Sequence, residues 1–329
     1  MILVSGQNCA WQLTYRFERV TPGAVNRVQE VHRSAAGKGV NVARVLAALQ
    51  VPATLLAYLG GVNGNRIRAA LRREGIAARV VEMDTDTRTC VTLLEGPAAT
   101  PARQVTELVE PAAVADAAAQ ERFAAAYEEL LPNAAAVVIA GTAIGGSRRE
   151  VYAEMVRRAH RHGVVTLLDA YRDHGRAALE AAPTVLKINR AELAELAGAP
   201  MNTVAARVAA YRNLRDCHGV RWVMVTAAAE GMEAYDGTRL LRATAPAVPV
   251  VNSIGSGDAA AAGVIAGIVA AAGDERAPLR LEGVDLATAA RLAVACGSAN
   301  CRSPVPGVVT AGLVRRLCEQ VSISELAAR

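Results

Sequence analysis

The pattern of apolar and polar positions changes rhythm near residue 120. Before that point four segments alternate apolar and polar residues: Leu13–Val20, Arg27–Val31, Thr87–Glu95 and Gln104–Val109. Period-two alternation predicts strands with one wet face, and Thr21-Pro22-Gly23 supplies a turn between the first two. Met1–Ser5, Thr54–Leu59 and Ala78–Val81 read as further strands, and Asn65–Glu74 as a helix stopped by Gly75. After residue 120, apolar strands alternate with helices. The predicted helices are Glu121–Leu131, Arg148–His162, Ala177–Ala181 and Ala191–Leu196; the strands are Ala135–Ala140, Val164–Asp169, Val185–Ile188 and Trp222–Thr226. Such alternation predicts βαβ units in an α/β fold, with a mainly parallel sheet covered on both faces and right-handed crossovers. The four alternating segments would form a smaller sheet, a lid on the main body. We expect one domain over 1–329, with lid strands drawn from about 8–35 and 86–110, and a site at the carboxyl ends of the parallel strands.

Composition narrows the function classes. The chain has 329 residues, 52% of them hydrophobic but only 3% aromatic, and a formal net charge of +5. Its arginines are interspersed with acids, so no basic block marks a nucleic-acid partner, while the mild positive bias suits small anionic substrates. The six cysteines form no CxxC pair, and His160 and His162 do not share a helix face. Reduced thiols, no structural zinc and a cytoplasmic setting are the expectation. No signal-peptide pattern opens the chain, and the longest apolar run, Ala259–Ala272, is too short to span a bilayer.

Three stretches carry chemistry. In Asn252-Ser253-Ile254-Gly255-Ser256-Gly257-Asp258 two glycines flank a serine just before an Ala-rich run of high helix propensity. Backbone N–H groups converging at a helix N-terminus make an anion cradle. Asp258 gains nothing there as an anion ligand, but it can act as a base toward a hydroxyl. The second stretch, Gly37-Lys38-Gly39-Val40-Asn41, leads from a glycine loop into a helix. It is not a Walker A motif, since Gly39 follows Lys38 where Ser or Thr is required. Asn41 is unfavourable inside a helix and so is a candidate contact residue. In the third, Lys187-Ile188-Asn189-Arg190-Ala191-Glu192, Asn189 and Glu192 have capping-box spacing, which accounts for both without any ligand. The same carboxylate could also orient a metal-bound water.

In this order the three motifs resemble the ribokinase/PfkB family of carbohydrate kinases, nearest the 1-phosphofructokinase and tagatose-6-phosphate kinase branch, over essentially the whole chain. The resemblance implies a ribokinase-like three-layer sandwich and ATP with Mg²⁺ as cosubstrate and cofactor. It implies a lid often shared between the subunits of a homodimer. Asp258 would be the catalytic base, and Gly255, Ser256 and Gly257 the anion hole. Gln12, Gly37, Lys38, Gly39 and Asn41 would contact a sugar phosphate, with Arg88 on its phosphate. Lys187, Asn189, Glu192, Thr226 and Gly231 would serve the Mg–ATP side, Glu192 acting on the metal through water. The expected activity is transfer of the γ-phosphoryl group to fructose 1-phosphate or a related ketohexose phosphate. Two other readings share these motifs: a kinase of an unphosphorylated sugar or nucleoside, and a non-catalytic phosphosugar-binding regulator. Departures from the family pattern are Gln12 where an Asp is usual, Ala36 and Ala228 where glycines are usual, and Ala140-Gly141-Thr142-Ala143 in place of a Ser-Gly-Ser-type loop.

Overall fold

The computed structural model describes residues 1–97, 100–102, 104–272, 279 and 281–326. In chain order the first half contains β1 (Ile2–Gly6), β2 (Ala10–Phe17), β3 (Glu30–Ala36), α1 (Lys38–Ala48), β4 (Ala53–Leu59), α2 (Gly61–Arg73), β5 (Ala77–Glu82), β6 (Thr89–Glu95) and β7 (Gln104–Val109). Then follow α3 (Ala117–Leu130), β8 (Ala136–Ala140), α4 (Val151–Arg161), β9 (Val165–Asp169), α5 (Asp173–Leu179), β10 (Val185–Asn189), α6 (Arg190–Ala197), α7 (Val204–Asp216) and β11 (Trp222–Thr226). The C-terminal part adds β12 (Met232–Tyr235), β13 (Leu240–Thr244), α8 (Ser256–Ala272), α9 (Leu286–Asn300), α10 (Ala311–Gln320) and β14 (Ser322–Leu326).

Ten strands form the main sheet in the order β14-β13-β12-β11-β10-β9-β8-β1-β4-β5. The seven from β11 to β5 run parallel, while β12, β13 and β14 extend one edge antiparallel. From β11 to β4 both faces are dry, which is why these strands read as largely apolar runs; the edge strand β5 is mostly exposed. On one face Val4, Leu55, Val138 and Leu167 pack with α1, α8 and α9; on the other Leu3, Leu56, Val137 and Leu168 pack with α3 and α4. The result is the expected α/β/α sandwich.

The four alternating segments do pair, in the order β3-β2-β6-β7, and form the expected lid. Pairing is antiparallel except between β2 and β6, which are parallel. Two lid boundaries differ from expectation. Asn26 ties back to both the N–H and the carbonyl of Thr21, at 2.7 and 2.9 Å, and closes a loop over 21–26. That loop ends β2 at Phe17 and moves β3 from Arg27–Val31 to Glu30–Ala36, where it runs straight into the glycine loop. Among the described residues no helix is long and apolar enough to cross a membrane.

The chain leaves β1 toward β4 on one side, whereas β8 lies on the other, so the strand order reverses between β1 and β8. Such a reversal opens a crevice at the carboxyl ends of the strands. The last turn-sized spans before the site are just as constrained. Helices α8 and α9 touch backbone to backbone at Gly263, where a Cβ would stand 2.6 Å from Ala293 Cα and 2.7 Å from Leu292 O. Because the obstructing atoms belong to the main chain, no rotamer change relieves them. Gly263→Val should therefore destabilise the fold by about 1–3 kcal/mol or more. It should also lower turnover below the unfolding transition, since α8 carries Asp258 in its first turn. Urea midpoints and kcat measured together test this; a variant with wild-type midpoint would mean that the helices have room to separate.

Candidate active site

Asp169 ends β9 at the carboxyl edge of the sheet, and it is 1% exposed. Its Oδ1 accepts from Lys38 Nζ at 3.1 Å and its Oδ2 from Lys187 Nζ at 3.2 Å. Lys38 opens α1 and Lys187 lies in β10, so one carboxylate draws three elements together. Burial opposes ionisation of Asp169, but Lys187 and Lys38 outweigh it and hold the carboxyl below its ordinary range. Burial likewise opposes the Lys38 ammonium, yet the charges of Asp169, Asp258 and Glu192 win and hold it above its ordinary range.

The glycine loop before α8 is shaped by close contacts. Gly255 has φ +82°, and a Cβ there would stand 2.8 Å from Pro306 Cβ. A Cβ on Gly257 would stand 3.0 Å from Lys187 Nζ, so the ammonium lies against the helix N-terminus. Asn252 Oδ1 accepts the Ile254 N–H at 3.0 Å, and Asn300 Nδ2 donates to Ile254 O at 2.8 Å and to Ser256 Oγ at 3.0 Å. The Ser256 N–H turns back to Ser253 O at 3.2 Å. Among the described residues the N–H groups of Gly257 and Asp258 meet no backbone acceptor, so they remain available to an anion.

Asp258 is 6% exposed, and its Oδ2 accepts from Asn41 Nδ2 at 2.8 Å. Arg44 Nη1 donates to Asn41 Oδ1 at 3.3 Å and to Pro306 O at 2.8 Å. Arginine has no acceptor, so this contact fixes the Asn41 amide with its NH₂ toward Asp258. Burial pushes the Asp258 carboxyl up; Lys38 and the Asn41 hydrogen bond pull it down, and Asp169 adds to the rise. The net direction is upward. A carboxylate so placed can accept a proton from a hydroxyl delivered to the cavity.

Two cavities meet at Lys38. The larger, about 1300 Å³, is lined by Gln12, Gly37, Lys38, Asn41 and Arg88, by Lys187, Asn189, Glu192, Thr226 and Gly231, and by Gly255, Ser256, Gly257 and Asp258. Of the residues singled out in the sequence only Gly39 lies outside it. Gly39 borders the smaller cavity, about 370 Å³, where a Cβ would strike Gly6 Cα at 2.6 Å. That smaller cavity occupies the crevice between β1 and β8, bounded by Asn8, Arg88, Thr142, Arg172 and His174. Asn8 Nδ2 donates to Thr142 Oγ1 at 2.8 Å, and its buried Oδ1 has no partner among the described residues.

The capping box is formed in full: Asn189 Oδ1 accepts the Glu192 N–H, and Glu192 Oε2 accepts the Asn189 N–H, both at 2.8 Å. Gly198, at φ 65°, ends α6 in the left-handed conformation. Ala228 takes φ 48°, a left-handed conformation that explains why a glycine is usual there. Gly231 is required by a close approach, since a Cβ would stand 2.0 Å from Ala243 O.

Sequence reasoning missed Asp169, Asn300 and Arg44. Only Asp169 carried a signal, as a lone acid closing an apolar strand at the edge where sites form. The other two act largely through contacts with residues distant in sequence, Arg44 with Glu74 and Pro306 and Asn300 with Ile254 and Ser256.

A model of the family described as "pfkB family carbohydrate kinase" matches residues 7–308. A candidate phosphofructokinase from Staphylococcus aureus is 27% identical, with 99% of each chain covered and a TM-score of 0.78. Phosphofructokinase-2 from Escherichia coli, in a complex with potassium, has the same fold at 19% identity, TM-score 0.86, with 97% of this chain and 98% of that one covered. A candidate 1-phosphofructokinase from Thermotoga maritima gives 19% identity and TM-score 0.84 over 99% of each chain. A match over most of the length, on a sandwich whose strand ends hold a glycine loop and a buried carboxylate, leads to one conclusion: the chain belongs to the pfkB family of carbohydrate kinases.

Proposed function

We propose that the acceptor of this pfkB-family ATP-dependent carbohydrate kinase is a ketohexose monophosphate, fructose 1-phosphate or a close relative. The observation that carries this is the smaller cavity: Lys38, Arg88 and Arg172 line a pocket joined to the one that holds Asp258. Arg88 has a buried Nε without a partner among the described residues, and a guanidinium suits a phosphate.

On this reading Asp258 takes the proton of the attacking hydroxyl as that oxygen closes on the γ-phosphorus. The free N–H groups at the start of α8 and the Lys187 ammonium meet the charge that develops on the transferring group. The nucleotide lies along the apolar wall built by Ala227, Val248 and Val294, beside Thr226 and Gly231. Glu192 borders both cavities with only Oε2 engaged in capping, and a single such carboxylate fits a hydrated Mg²⁺. When bound, that ion would neutralise charge on the ATP phosphates. Asp169 touches neither reactant; it positions Lys38 and Lys187. We also assign a second copy of the chain to the outer face of the lid, where Val31 and Leu108 are 41% and 56% exposed.

Release of ADP across fructose 1-phosphate, fructose 6-phosphate, tagatose 6-phosphate, free sugars and nucleosides tests the acceptor class. Arg88→Gln should raise KM for the phosphosugar far more than KM for ATP; wild-type enzyme equally active on free sugars would sink the phosphosugar reading. Asp258→Asn should cut kcat by about 10²–10⁴-fold or more while ATP still binds. Near-normal turnover would leave Asp258 a helix-start residue.

The upward shift of the Asp258 carboxyl, caused first by its burial, sets a pH dependence. Activity requires the ionised form, so kcat/KM should climb with pH through a carboxylate pKa above the ordinary range and then level off. The Asn41 bond stabilises the ionised form, so Asn41→Leu should move this acid limb to higher pH. An acid limb that stays put or moves to lower pH would remove Asn41 from any role in tuning the base.

A further inference from the structure

We propose that Glu107, on lid strand β7, holds hydroxyls of the acceptor sugar and supplies the carboxylate that position 12 lacks. The inference rests on reading the joined cavities as the acceptor site. Its starting point is the side chain of Gln12, which is 4% exposed. Gln12 Nε2 donates to Thr92 Oγ1 at 2.9 Å and to Leu13 O at 3.3 Å, so the NH₂ is turned into the lid sheet. What Gln12 leaves for the cavity is Oε1, an acceptor without charge. The lid wall at this position is therefore neutral where an Asp would have made it anionic.

Strand register restores the missing charge nearby. Gln12 pairs with Cys90 and Cys90 with Val109; Thr92, one step along the same face of β6, pairs with Glu107. Side chains alternate between faces, so Gln12, Cys90, Thr92, Val109 and Glu107 project to one side of the sheet. That side faces the larger cavity, which Gln12, Cys90, Val109 and Glu107 all line.

Neighbouring lid acids are already engaged. Glu95 accepts the Val20 N–H at 3.2 Å and Glu110 accepts the Thr89 N–H at 2.6 Å. Glu107 has no hydrogen-bond or ion-pair partner among the described residues, and its carboxylate retains full accepting capacity. Its carboxyl lies above the ordinary range, raised first by its partial enclosure and then by the charge of Asp258, with Arg88 pulling the other way. Glu107, Asp258 and Arg88 thus act on one another across a shared space. A sugar phosphate there would offer its phosphate to Arg88, its reacting hydroxyl to Asp258, and its remaining hydroxyls to a carboxylate suited to accept two of them.

The test begins by ranking acceptors on the wild-type enzyme. Preference for an unphosphorylated sugar overturns the phosphosugar reading, and the present inference is then tested on that sugar. With the best acceptor, Glu107→Gln should raise acceptor KM about tenfold or more, the cost of losing hydrogen bonds to a charged group. KM for ATP should move less than about threefold. The larger part of the loss should fall in KM rather than kcat, as expected for binding used equally in ground and transition states. Adding Gln12→Asp to Glu107→Gln returns a carboxylate to the same wall and should recover much of the lost affinity. Light scattering on each variant should give the wild-type mass. Three results would overturn the inference: an unchanged acceptor KM in Glu107→Gln, an equal rise in KM for ATP, or a double variant no better than the single one. A loss that tracks a change in mass would overturn it too, by making Glu107 an association residue.

Discussion

The site depends on one buried carboxylate held between two ammonium groups. Taking three charges out of water costs several kcal/mol per ion, and attraction offsets this only where every acceptor is well used. Asp169 meets that condition with Oδ1 on Lys38 and Oδ2 on Lys187. The cluster carries one net positive charge at the junction of the two cavities. It also separates the two carboxylates electrostatically. Asp169 has the direct lysine contacts and stays ionised; Asp258, equally buried from water, has Asn41 as its hydrogen-bond donor and is shifted the other way. Opposite shifts in adjacent acids separate a structural charge from a group poised to take up a proton.

Precise placement of these groups comes from elements that touch without intervening side chains. Gly39 lets the start of α1 abut the end of β1, and Gly263 lets α8 lie on α9. Gly307 passes so near α1 that a Cβ would stand 2.9 Å from Asn41 Cα. Arg44 closes the arrangement from beneath: it is 7% exposed and donates to Asn41, Pro306, Ala35 and Glu74. Asn41 beside Asp258, the loop beside Gly255 and the root of the lid are thereby linked through one guanidinium. Donors fixed in this way need little reorganisation as charge develops, which is where electrostatic stabilisation is most effective.

How much of this was legible in the sequence follows from the range of the interactions. The apolar strands from Ala136 to Thr226 were read to within a residue or two, because a strand buried on both faces must be apolar throughout. The lid was legible for the opposite reason, since its inward and outward faces differ and leave an alternating record. The capping box at Asn189 and Glu192 is a local motif and formed as its spacing required. Helix α7, the hairpin β12–β13, helices α9 and α10 and strand β14 were not read. The partners of β14 lie some eighty residues earlier, in β13, and nothing local to Ser322–Leu326 specifies that pairing. Asn300 and Pro306 are ordinary residues in the sequence and acquire their roles only by packing against Gly255.

The lid shows the same division between local and distant information within a single residue pair. By sequence alone, Gln12 offers both a donor and an acceptor to the cavity, because the amide has both. Thr92, eighty residues away and fully buried, settles the matter by taking the NH₂. Whether a side chain presents a donor, an acceptor or a charge to the cavity is thus decided by a neighbour that does not line that cavity. The parallel pairing of β2 with β6 is what brings this neighbour into range. The same register puts Glu107, one strand further on, on the cavity side of the sheet, where it borders the cavity and is still open to solvent. A one-residue slip of β7 would reverse that and face Leu108 inward instead. The chemistry of the lid wall is therefore set by strand register, and the composition of any single strand does not determine it.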